Sequence, residues 1–153
     1  MELYHASKEI VQYPEIRKAK YTKDFSWGFY CTNNMQQAVR WANRGVGKPI
    51  INYYDYQPNE SLKILKFPEI SDEWLDFIAE CRSGKTHSYD IVEGPMANDT
   101  VWNYVNDFLA GRINRKQFWA LAEFRYPTHQ ISFHTLSAID CLKFIKSEVI
   151  YDR

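Results

Sequence analysis

Residues 24–42, DFSWGFYCTNNMQQAVRWA, constrain the fold more than any other stretch. Gly28, Phe29, Tyr30, Cys31 and Thr32 are aromatic, β-branched or small, which suits a short strand. Asn33 and Asn34 follow, and asparagine is a preferred helix N-cap. Gln36, three residues after Asn33, adds a weak capping-box pattern. Ala38, Trp41 and Ala42 then share one face at i, i+3, i+4 spacing. The stretch reads as a strand running straight into a helix that ends near Arg44, with Gly45 and Gly47 as stops. Neighbouring strand residues point to opposite faces, so one of Phe29 and Tyr30 belongs to the core and the other to a cleft.

The remaining punctuation predicts scattered strands and short capped helices. Residues 2–5 read as a first strand, and residues 7–23, with Pro14, as a loop. Residues 50–56 and 62–67 read as two strands around a turn at Gln57-Pro58-Asn59. Ser71 caps a helix to about Arg82, with Asp72 and Glu73 in its first turn. Residues 89–92 form a strand broken by Gly94-Pro95, and Asn98 caps a helix through Leu109. Asn114 with Gln117 opens a helix to about Phe124, and Pro127 ends that segment. Residues 130–134 read as a strand, Thr135 as the cap of a helix through Phe144, and residues 148–151 as a last strand. Without regular βαβ alternation this is an α+β chain, and 153 residues suit one domain, 1–153.

Formal net charge is zero, so there is no strong nucleic-acid signature. The basic stretches Arg17, Lys18, Lys20, Lys23 and Arg112, Arg115, Lys116 read as solvated surface. An aromatic fraction of 16% is high enough to line a cleft as well as a core. No apolar run approaches the length of a membrane span and no signal peptide is apparent, so no membrane association is expected. Cys31, Cys81 and Cys141 are odd in number and widely spaced; they read as reduced thiols of a cytoplasmic protein. No CxxC pair exists and His87, His129 and His134 lack ligand spacing, so no metal is expected. Gly84-Lys85-Thr86 is not a phosphate loop, because position 79 is Ala and no strand precedes it. Cys31 reads as a buried, inert thiol, and as a nucleophile only if a histidine approaches it in space. Asp90, Glu93 and Asp99 cluster around a Gly- and Pro-rich turn, where capping and acid–base chemistry are both open. Asp24, Phe25 and Trp27 form either a cleft rim or a loop anchor.

Three segments together carry a sharper signal. Leu3-Tyr4-His5-Ala6-Ser7, Gly28-Phe29-Tyr30-Cys31-Thr32 before a helix, and Gln130-Ile131-Ser132-Phe133-His134-Thr135 near the end resemble the ADP-ribosyltransferase superfamily. The resemblance is to its His-Tyr-Glu branch, that of diphtheria toxin and the poly-ADP-ribose polymerases, with Gln at the Glu position. Tyr89, Asp90, Val92, Gly94, Pro95, Ala97 and Asp99 resemble a further segment of a small uncharacterised bacterial family of such proteins.

The resemblance implies two small packed β-sheets around an NAD cleft with flanking helices. It implies NAD as substrate, a macromolecular acceptor (protein or nucleic acid), and mono-ADP-ribosyl transfer. By similarity, His5 would bond a ribose hydroxyl, Ala6 and Ser7 would offer backbone to the nicotinamide, and Tyr30, with Thr32 beside it, would stack on the nicotinamide ring. Gln130 would stand in the place of the catalytic glutamate. It keeps a hydrogen bond and loses a charge that opposes an oxocarbenium-like transition state. Asp90 and Asp99 are the candidates for a recruited base. Small stand-alone bacterial domains of this kind resemble toxins of toxin–antitoxin or phage-defence systems, which implies a cognate antitoxin protein. The alternatives are a catalytically weak NAD- or ADP-ribose-binding module and an NAD glycohydrolase.

Overall fold

The computed structural model describes residues 1–18, 23–122 and 128–151. The elements in chain order are β1 (Glu2–Ser7), β2 (Phe29–Cys31), α1 (Met35–Ala42), β3 (Ile50–Tyr56), β4 (Ile64–Lys66), α2 (Asp72–Arg82), β5 (Ile91–Gly94), α3 (Asp99–Leu109), α4 (Arg115–Leu121), β6 (Gln130–Phe133), α5 (Leu136–Ile139) and β7 (Leu142–Val149). The fold is α+β, with two small sheets in the orders β1-β3-β7 and β2-β6-β5-β4. Every described strand pair is antiparallel except β4 with β5, which is parallel. Among the described residues no helix is long and apolar enough to cross a membrane.

The burial pattern stacks these elements in layers. Leu3, Phe29, Tyr54, Tyr56, Ile131 and Phe133 fill the space between the two sheets. On the far side of the first sheet, Ala38 and Ala42 of α1 cover Ile51 and Tyr53. On the far side of the second, Trp74, Leu75 and Ile78 of α2, Val101 and Val105 of α3, and Phe118 of α4 pack around Tyr30 and Val92. β3 is central in its sheet and covered on both faces, which is why IINYYDY reads as a near-continuous apolar run.

Several helix starts follow their caps. Ser71, Asn98 and Asn114 accept hydrogen bonds from the backbone N–H of Trp74, Val101 and Gln117, and Gln117 completes a capping box with Asn114. At α1 the cap is Asn34, which accepts from the Gln37 N–H; Gln36 is exposed and completes no box with Asn33. The expected end of α4 at Phe124 and the Pro127 stop lie outside the described residues; Ala122 caps the helix.

Two expectations are corrected. Residues 50–56 and 62–67 do not form a hairpin: β3 and β4 belong to different sheets, and β4 pairs with β5. Thr135 does cap a helix, accepting from the Ala138 N–H, but that helix ends at Ile139. The following residues form β7 instead, pairing with β3 from Tyr56↔Leu142 to Ile50↔Val149 across a bulge at Tyr53/Tyr54. The open edge of β3 supplies ladder hydrogen bonds that outweigh the local helical preference.

Candidate functional site

The two sheets touch where β1 meets β2. The Tyr4 N–H donates to the Thr32 carbonyl at 2.8 Å, and the Thr32 N–H returns to the Tyr4 carbonyl at 2.9 Å. In a continuing antiparallel ladder the next such pair would be Ala6 with Tyr30. The strands part instead, and the Tyr30 carbonyl takes its hydrogen bond from His5 Nδ1 at 2.6 Å. A groove opens at this split.

The groove has two adjoining hollows, of about 220 and 360 Å³. Together they reach the size range of small-molecule sites. His5, Ser7, Gly28 and Phe29 border the first; Ala6, Asp24, Trp41, Arg82 and Gln130 border the second. Tyr30 and Lys23 belong to both, so they form the shared wall. His5 and Gln130 thus face adjoining hollows of the groove, with Tyr30 between them.

The electrostatics of His5 follow from its bonds. A carbonyl only accepts, so Nδ1 carries the proton in the neutral ring, and Nε2 holds a lone pair. Burial, then the nearby Lys23 charge against the Tyr30 hydrogen bond, pushes the imidazole down to about 4, so it is neutral at pH 7. The ring also stacks on Phe29, centroids 4.1 Å apart. His5 is therefore a fixed hydrogen-bond acceptor at the mouth of the groove.

Tyr30 and Phe29 point to opposite faces as the strand period requires, yet both are buried. The Tyr30 hydroxyl donates to the Ser26 carbonyl at 2.6 Å and accepts from the Phe25 N–H at 3.0 Å. Burial pushes its phenol well above the ordinary range. The Lys23 ammonium sits 5.0 Å from the ring centroid, a cation over an aromatic face, and desolvation lowers its pKa. Two histidines hold the surrounding loop. His87 Nε2 bonds the Phe25 carbonyl at 2.8 Å and His134 Nδ1 bonds the Trp27 carbonyl at 2.7 Å. Gly28 is required where it is, because a Cβ there would lie 2.8 Å from His134 Nδ1.

Gln130 opens β6 and is buried. Its Nε2 donates to Asp24 Oδ2 at 2.9 Å and to the Pro95 carbonyl at 3.4 Å. Asp24 is buried too; its Oδ2 also accepts from the Ala97 N–H at 2.9 Å, and its Oδ1 pairs with Arg82. The Arg82 guanidinium lies over the Trp102 ring, 3.4 Å from its centroid. Asp24 is thus a floor of the groove. Gln37 of α1 brackets the peptide ahead of Gln130: its Nε2 donates to the His129 carbonyl at 2.6 Å and its Oε1 accepts from the His129 N–H at 3.1 Å.

The other predicted site residues differ in placement. Thr32 is buried, and its Oγ1 accepts from the Asn34 N–H at 3.0 Å and lies 3.4 Å from His129 Nδ1, so its side chain serves the start of α1. Ser7 accepts from the Glu9 N–H at 3.2 Å on the rim of the first hollow. Asp90 is not brought to the groove. Gly94 pairs with Gln130, and Asp90 lies four residues back along that strand, about 13 Å away at the strand rise. Its oxygens accept from Thr135 Oγ1 at 2.7 Å and the Lys63 N–H at 2.9 Å, which hold its carboxyl below the ordinary range. Asp90 clamps two segments together at a distance from the groove. The side chain of Asp99, the first residue of α3, lies outside the described structure.

The segment around Gly94 contributes backbone. Its Pro95 carbonyl also accepts from Trp74 Nε1 at 2.8 Å, and Met96 and Ala97 line the second hollow. Glu93 pairs with His129 at 2.7 Å. Cys31 is fully buried and burial pushes its thiol well up, as an inert thiol requires.

A family model described as "Protein of unknown function (DUF3990)" matches residues 1–144. The chain belongs to this family. The match takes in His5, Tyr30, Asp24 and Gln130, so the whole groove of this DUF3990 chain lies within it. No curated protein and no solved structure matches the chain.

Proposed function

We propose that this chain transfers a single ADP-ribose from NAD to a macromolecular acceptor, protein or nucleic acid. The reading rests on one observation: His5, Tyr30 and Gln130, from three distant parts of the sequence, border one split between two sheets. The resemblance of their three segments to ADP-ribosyltransferases supports it.

Each residue has chemistry suited to a part in that reaction. The lone pair on His5 Nε2 accepts from a ribose hydroxyl. The Lys23 ammonium over Tyr30 marks that ring as a cation site, and the pyridinium of NAD is a planar cation. Lys23 and Arg44 bring positive charge to the second hollow, which suits a diphosphate. Gln130 accepts from the ribose through Oε1. The C1′–N bond breaks, its electron pair leaves with neutral nicotinamide, and the acceptor nucleophile bonds C1′ and gives up its proton. A cognate antitoxin is proposed with the toxin role, as the partner that would neutralise this activity.

A second reading, NAD or ADP-ribose binding without turnover, is favoured by the uncharged Gln130 alone. NAD hydrolysis, with water as acceptor, is the third. Labelled NAD incubated with the protein and cell extract separates them. Label on protein or nucleic acid that is lost in Tyr30→Ala and Gln130→Ala supports transfer. Free ADP-ribose alone supports hydrolysis, and binding without turnover supports the module.

A further inference from the structure

We propose that Asp24 is a positioning residue for Gln130: it fixes the carboxamide with its oxygen toward the groove, and it is the reason that glutamine rather than glutamate works at this position. The inference rests on the transferase reading for its rate effects, and on hydrogen bonding alone for its stability effects.

The bonds leave little choice. An amide end facing only acceptors must be the nitrogen. Gln130 Nε2 faces two, Asp24 Oδ2 at 2.9 Å and the Pro95 carbonyl at 3.4 Å. Asp24 cannot turn away, because Arg82 holds Oδ1 through Nε at 2.9 Å and through Nη2, while the Ala97 N–H holds Oδ2 at 2.9 Å. Both side chains are buried, each 4% exposed, so water does not compete for these bonds. Gln130 Oε1 has no protein donor among the described residues, and Gln130 lines the second hollow. Its oxygen is the atom left for a substrate hydroxyl.

A glutamate at position 130 would set two buried carboxylates against each other at hydrogen-bond distance. Such a pair cannot stay doubly ionised. One must keep a proton, or the new side chain must leave its place. The other ionisable groups in that hollow are Arg82, already paired with Asp24, and Lys23, Arg44 and Tyr30. The charge that glutamate would supply at position 130 is already present one residue deeper, on Asp24. Exchanging the two groups, Asp24→Asn together with Gln130→Glu, conserves one carboxylate and one amide donor between the two positions.

The test is a double-mutant cycle on the full chain, with circular dichroism confirming the fold of each variant and two independent readouts. By thermal unfolding, Gln130→Glu should be destabilised relative to the native chain at pH 8. That deficit should shrink as pH falls toward 5, where the introduced carboxyl, once protonated, donates to Asp24 as the amide does. Adding Gln130→Glu to Asp24→Asn, whose amide already leaves the Ala97 N–H unpaired, should cost far less stability than adding it to the native chain, and without this pH dependence. By nicotinamide release from NAD, Asp24→Asn and Gln130→Glu should each lower kcat by on the order of a hundredfold with KM changed far less, as loss of alignment does. The double variant should exceed both single ones by about tenfold or more. Native-like stability of Gln130→Glu at pH 8 overturns the proposal whatever the activity. So does undiminished kcat in Gln130→Glu with no gain in the double variant. If the native protein releases no nicotinamide while the stability cycle behaves as stated, the transferase reading fails and the Asp24–Gln130 arrangement stands.

Discussion

Tyr30 serves two structural duties at once. Its ring walls both hollows, and its hydroxyl satisfies the Ser26 carbonyl and Phe25 N–H of the loop beneath. Tyr30→Phe keeps the ring and leaves both buried groups unpaired. It should cost about 1–3 kcal/mol, read as a lower urea midpoint at unchanged slope. An unchanged midpoint would mean that the hydroxyl holds nothing. The histidines set a pH dependence. Burial brings both His5 and His134 down to about 4, against about 6.5 in an unfolded chain. Between those values the unfolded chain binds more protons, so stability is complete above about pH 6.5 and falls as pH drops toward 4. The lowered carboxyls of Asp90 and Glu93 add to the loss at the acid end. Urea titrations at pH 7.5, 6 and 5 should show a steady decline; a flat profile would contradict the burial of the two rings.

Helix α1 links the first sheet to the groove. Its apolar face covers Ile51 and Tyr53, and Gln37 on its first turn holds both backbone groups of His129 beside Gln130. Gln37→Ala and Asn34→Ala therefore separate helix stability from site alignment. Asn34→Ala removes the cap and should cost about 1 kcal/mol with little effect on NAD turnover. Gln37→Ala unpairs half-buried backbone and should cost about 1 kcal/mol or more, with a drop in turnover well beyond that of Asn34→Ala. Equal effects on turnover would show that Gln37 acts only through the helix. The start of α1 was legible because Asn-Asn after a β-rich run is a local signal. The clamp was not, because its partner lies 92 residues on. The same contrast explains β7. The Thr135 cap of α5 was readable locally, whereas the pairing of β7 depends on an edge of β3 that only the folded sheet presents.

Across the whole molecule, the groove exists because two sheets join at one bridge, Tyr4 with Thr32, and part beyond it. The sequence pattern pointed to His5, Tyr30 and Gln130 through three short motifs, and the structure sets all three along this split. It did not reveal Asp24, whose aspartate among aromatic residues read as rim or anchor; its role comes from Arg82, Ala97 and Gln130, all remote in sequence. Asp90 and Asp99 drew attention by residue type, but sheet register carries Asp90 to the other end of β5. The most direct test of a single NAD groove is backbone amide shift mapping on the labelled protein as NAD is added. Residues 4–7, 28–32 and 129–131 should respond together with one common saturation curve. No response up to millimolar NAD, or shifts confined to one of these segments, would contradict a single NAD groove.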